Sequence, residues 1–221
     1  MKKTYNINLE LISLQYFKEI LQERELIPSR RILKEDIDDN FQKLANSKVG
    51  NLHELIKNLN TSEKIRSFSK VSGLSEQYLK ILRREAASYT PNPINLRNFP
   101  EINLTTINEL EKIGIKNTKH LFDTVQMNSD FIEKISSSDK MSEEIKELIS
   151  LSDLVRLYGV GPVFAKMIYK IGIKSVNEFT TYSGEDFIRI YEKETNKKAD
   201  FSIHDINFSL ELANIISSIE S

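Results

Sequence analysis

With 221 residues, 39% hydrophobic and 29% charged, the chain has room for one large domain or two small ones and is too apolar to be disordered. Isoleucine (28) and leucine (23) dominate, while seven glycines and five prolines leave too few turn-formers for an all-β fold. The absence of cysteine excludes disulfides and thiolate metal sites, and a formal charge of −1 is not that of a strongly basic nucleic-acid binder.

At the start of the chain, Asn6, Asn8 and Glu10 interrupt any signal-peptide core after Met1-Lys2-Lys3. No apolar run approaches the roughly 18–20 residues of a membrane span. A cytoplasmic protein with no membrane contact is the expectation. Apolar residues then recur at helical spacing: Leu14, Phe17, Ile20 and Leu21; Ile37, Phe41 and Leu44; Leu52, Leu55, Ile56 and Leu59. Helices this short cannot bury much surface alone and must pack against one another. Cap residues ahead of such stripes mark starts at Asn51, Thr61, Ser75, Asn128, Ser183 and Ser202.

Three prolines within Pro91–Pro100 forbid a helix, and Ile94, Leu96 and Phe99 predict an extended segment lying on a core. A boundary near residue 100 divides the chain into modules 1–100 and 101–221. The first carries 17 basic against 12 acidic residues and the second 14 against 20, a polarity that can orient the molecule toward a polyanion or toward copies of itself.

Self-similarity is the most informative signal. Ile113-Gly114-Ile115-Lys116-Asn117 recurs 58 residues later as Ile171-Gly172-Ile173-Lys174-Ser175, with Leu121 and Phe179 at matching later positions. The pattern reads as a helix stopped by a left-handed glycine, an isoleucine packing back, and Asn or Ser capping the next helix. Ser47-Lys48-Val49-Gly50-Asn51 is a weaker third copy, with lysine in the glycine position.

A further motif is Leu157-Tyr158-Gly159-Val160-Gly161-Pro162-Val163-Phe164-Ala165-Lys166-Met167-Ile168. Gly159 and Gly161 permit positive φ and close backbone approach, and Val160 is placed to plug the space between two helices. Pro162 suits the first helical position, and Ala165 lets the helices close. The unsatisfied amides of the second helix form a phosphate-sized anion site, followed by Lys166, Lys170 and Lys174, the first two on one face. A second such turn, Gly73-Leu74-Ser75, aligns at an offset of 86, with Ser75 where the second glycine would stand and Lys80 and Arg83-Arg84 downstream.

These residues resemble the helix-hairpin-helix motif, and the layout is similar to an uncharacterised prokaryotic domain family built from tandem helix-hairpin-helix units. The similarity is clear over residues 61–100 and 150–221 and looser over 10–60 and 101–149, where Glu101-Ile102-Asn103 stands in place of Gly159-Val160-Gly161. The resemblance implies an all-α fold of about a dozen short helices in tandem modules. It also implies DNA binding without sequence preference, with Gly159, Val160, Gly161, Lys166 and Lys170 as one contact set and Gly73, Ser75 and Lys80 as another. Val163 and Phe164 depart from the cation or threonine that many DNA-binding members carry after the proline.

No catalytic or metal-binding constellation is evident. His53 and His120 lie near Glu54 and Asp123 without a nucleophile at useful spacing, and Asp186 fits a first-turn position behind Ser183. No phosphate-binding loop or calcium loop is present. The expectation is therefore a non-enzymatic, cofactor-free protein that binds DNA weakly through hairpin amides and flanking lysines. The alternative is a protein–protein interaction or scaffold module with no nucleic-acid role.

Overall fold

Capping side chains and apolar stripes dictate where helices start and which face they bury, and the computed structural model, which describes residues 3–128 and 130–220, follows them closely. Among the described residues the protein is all-α, with no β-sheet. The chain forms two compact units, one of residues 8–90, the other of residues 3–7 with 91–220.

The first unit contains α1 (Leu14–Glu23), α2 (Ile37–Asn46), α3 (Leu52–Leu59), α4 (Ser62–Ser72) and α5 (Glu76–Ala87), with short 3₁₀ segments at Leu9–Leu11 and Pro28–Lys34. Its core is built from the expected stripes: Phe17 lies between Phe41 and Tyr89, and Leu21, Leu44, Leu52, Leu55 and Leu82 are fully buried. Each such leucine contributes about 1.5–3 kcal/mol through burial, which helices of this length need in order to persist. Inside this core the Glu85 carboxylate accepts from Arg24 at 2.8 Å and also from Arg30.

The second unit contains α6 (Leu104–Lys112), α7 (Thr118–Met127), α8 (Phe131–Ile135), α9 (Asp139–Leu154), α10 (Pro162–Lys170), α11 (Val176–Phe179), α12 (Gly184–Thr195) and α13 (Ile203–Glu220). An aromatic cluster of Phe164, Phe179, Phe187, Tyr191 and Phe201 fills the space among α10, α11 and α12. Arg156 is buried at 1% exposure; its Nε donates to the Tyr5 carbonyl at 2.9 Å, its guanidinium binds Asp153 and Glu220, and it lies 4.6 Å above the Phe122 ring. Residues 3–7 are thereby fixed to the second unit, with Tyr5 Oη accepting from the Thr118 hydroxyl.

The division falls at Thr90/Pro91 rather than near residue 100. The proline-rich segment is extended as expected, with Leu96 and Phe99 buried, but it pairs forward: Thr118 N donates to Ile94 O and Leu96 N to Lys116 O. Asn51, Thr61, Ser75, Ser183 and Ser202 each accept from a first-turn amide. Asn128 does not start a helix; it ends α7, with its amide donating to Thr124 O.

The three-fold repeat is a real structural repeat. Lys48, Gly114 and Gly172 all hold left-handed φ (63°, 88° and 97°). The next amides, of Val49, Ile115 and Ile173, return to Leu44, Leu110 and Ile168 carbonyls, closing the preceding helix, and Asn51, Asn117 and Ser175 cap the following one. In the first and second copies the residue after the cap, Leu52 or Thr118, donates to an upstream extended segment; in the third, Val176 N donates to Asp153 Oδ2 at 2.7 Å.

Candidate functional site

The Gly159 turn forms because Gly159 alone needs the left-handed region, at φ 89°. Gly161 sits at φ −85°, ψ 175°, which any residue adopts, so positive φ is not the reason for glycine there. A Cβ on Gly161 would meet nothing within 4 Å, so packing does not demand glycine either. Val160 is buried as the plug, Ala165 is fully buried at the helix contact, and Pro162 opens α10. No side chain caps α10. Helices α1, α3 to α7, α9, α11 and α12 all start with a Ser, Thr or Asn that does cap. The first-turn amides of α10 therefore sit beneath a bare glycine, next to exposed Gly159 and Val163.

The two lysines differ in burial. Lys166 is 7% exposed and ion-paired with Glu147 of α9, while Lys170 Nζ lies 2.7 Å from the Glu101 carboxylate. Glu101 also stands 3.8 Å from Lys166. The Lys170 hydrogen bond, with the charges of Lys170 and Lys166 behind it, holds the Glu101 carboxyl below the usual glutamate value. Burial, then Glu147 and Glu143, pushes the Tyr169 hydroxyl up, so the flank of α10 against α9 is acidic.

At the second turn Gly73 ends α4 in the left-handed region (φ 73°), Leu74 is buried in the plug position, and Ser75 Oγ accepts from Tyr78 N at 3.1 Å. That amide is thus already used. Lys80 pairs with Glu76 at 3.4 Å, and Glu76 also lies 3.8 Å from Arg66. Lys64, Lys70 and Arg84 are exposed on the same two helices, while Glu85, the remaining acid of α5, is buried beneath them. Glu63 is exposed on α4 and Glu76 lies in the first turn of α5, and bases outnumber these acids on the outer faces of the two helices.

His53 and His120 are exposed, and Asp186 holds the first turn of α12 by accepting from Ser183. Among the described residues no three His, Asp or Glu side chains gather as a metal site, and no helix is long and apolar enough to cross a membrane. The residue that sequence reasoning left aside is Glu101. The 58-residue offset that aligns the repeats assigns it to the Gly159 position, and a charged residue in a left-handed slot was the available signal.

Residues 100–202 match a domain of unknown function (DUF4332). The match covers a little under half of the chain and includes both the Glu101 and the Gly159 turns together with two copies of the Ile-Gly-Ile-Lys repeat. No curated protein and no solved structure matches the chain.

Proposed function

We propose that this protein is a non-enzymatic, tandem helix-hairpin-helix binder of nucleic acid, weak and indifferent to sequence. It would grip phosphate oxygens with the backbone donors at the start of α10 and, in the first unit, with the basic faces of α4 and α5. The observation that carries the reading is the bare Gly161 cap, where the helix forgoes a side chain that neither φ nor packing excludes. An anion at that point gains from the helix dipole and from donors that are otherwise left to water. Lys166 is tied to Glu147, so it supports the turn from within, and Arg84 and Lys70 supply the outward charge, with Lys80 shared with Glu76.

The test is fluorescence anisotropy of a labelled duplex across a salt series. Affinity should fall with salt at a modest slope, reflecting about 2–4 phosphates. Gly161→Ser is the informative variant. Its hydroxyl would cap α10 and raise stability by a few tenths of a kcal/mol, while taking a donor from the ligand and weakening binding. A duplex that fails to bind at low salt, or a Gly161→Ser protein that binds as well as wild type, refutes the amide reading.

A second reading, a protein-docking module, is favoured by one specific observation. Val163, directly after Pro162, is 72% exposed, and Tyr158 at the same turn is 41% exposed. If that reading holds, Val163→Asp abolishes capture of one defined protein partner and leaves duplex binding absent in both forms.

A further inference from the structure

Glu101 holds a left-handed backbone (φ 61°) at the position where the later repeat has Gly159 (φ 89°). Glutamate is strained there, and such strain persists only where the surroundings enforce it. What the strained residue does is reach α10. Its carboxylate lies 2.7 Å from Lys170, the last residue of α10, and 3.8 Å from Lys166, one helical turn before it. The Glu101 and Lys170 side chains are 60% and 54% exposed, so this contact is open to water and to competing ions, unlike the buried Lys166–Glu147 pair.

We propose that Glu101 is a tethered competitor for phosphate: its carboxylate occupies the anion position over the α10 lysines and must be displaced before a nucleic-acid backbone can engage Lys170. The inference rests on the nucleic-acid reading above and explains how Lys170 is withheld from an incoming phosphate backbone. A carboxylate held by its own chain competes at high effective concentration, so an incoming phosphate must beat a partner that is always present. The charged groups facing Lys170 and Lys166 are then Glu101 and Glu147, and of the two only Glu101 is exposed enough to swing away.

The experiment uses the full chain and a labelled 20-base-pair duplex at low salt. Glu101→Gln should tighten binding roughly 3- to 10-fold, and Lys170→Ala placed on that background should remove the gain. Glu133→Gln, an exposed glutamate of α8, removes the same charge elsewhere and sets the size of any long-range effect. A gain from Glu101→Gln no larger than that of Glu133→Gln overturns the competitor role. If Gly161→Ser still weakens binding in that case, the nucleic-acid reading stands without it. If neither wild type nor Glu101→Gln binds the duplex, both fall together.

Discussion

Lys48 and Gly172 share one backbone conformation, left-handed at φ 63° and 97°, although one is a lysine and the other a glycine. Each is followed by a buried residue, Val49 or Ile173, whose amide returns to a helix carbonyl five residues back. Helix termination at this step of the repeat is therefore set by the returning hydrogen bond and the apolar plug, with glycine only lowering its cost.

Opposite stability effects should follow at the two positions. Lys48→Gly relieves left-handed strain and, after the extra freedom of the unfolded chain, should stabilise by about 0.5–1 kcal/mol. Gly172→Ala should destabilise by about 1 kcal/mol even though its Cβ would meet open space. Urea unfolding followed by circular dichroism reads both, and equal effects of one sign would refute the account.

Arg156 ties residues 3–7 to α9 and α13 by donating to the Tyr5 carbonyl and pairing with Asp153 and Glu220. Burial opposes its charge, but Asp153 and Glu220 outweigh burial and hold its pKa above the ordinary arginine value. Arg156→Met should cost about 3–5 kcal/mol, because it takes the buried guanidinium away from two carboxylates and a carbonyl. Glu220→Gln should cost less, and the double variant should lose less than the sum.

The first unit has a comparable centre in Glu85, fully buried between Arg24 and Arg30. Glu85→Ala deprives both guanidiniums of this carboxylate and should destabilise residues 8–90 by about 3 kcal/mol or more. Hydrogen exchange should show the loss in α1 and α5, with α9 and α10 unaffected if the units unfold separately.

Acid should loosen the start of α13. The Ser202 amide and hydroxyl both donate to Asp205, at 2.9 and 2.8 Å, and hold its carboxyl below the usual aspartate value of 3.8. A depressed folded pKa gives stability that is present above the unfolded value and lost as pH falls through the lower, folded one. An NMR titration of the Asp205 carboxyl with its midpoint below 3.8 is the expected result, and Asp205→Asn should abolish that part of the acid dependence.

Much of the fold was legible because its instructions are local. The Gly159, Val160 and Ala165 pattern, the Asn51, Thr61, Ser75 and Ser183 caps, and the leucine stripes act on neighbours within a turn or two, where stereochemistry and capping dictate the outcome. Where the structure differs, a backbone or core partner that the local pattern does not specify decided the outcome. Pro91–Pro100 belongs with the second unit because Ile94 and Leu96 pair with Thr118 and Lys116. Asn128 closes a helix because its amide finds Thr124 O. Lys48 entered a glycine's conformation because Val49 is drawn to the core.

The amino-acid order alone thus set the all-helical class, the repeat and the exposed, uncapped start of α10, since each depends on a few adjacent residues. Tertiary packing decided which charges the lysines of that helix face. Lys166 meets Glu147 across 19 residues of sequence, and Lys170 meets Glu101 across 69. Ion pairs form between whatever side chains the helices bring within a few ångströms, and that proximity is a property of the packed core, invisible in any local window.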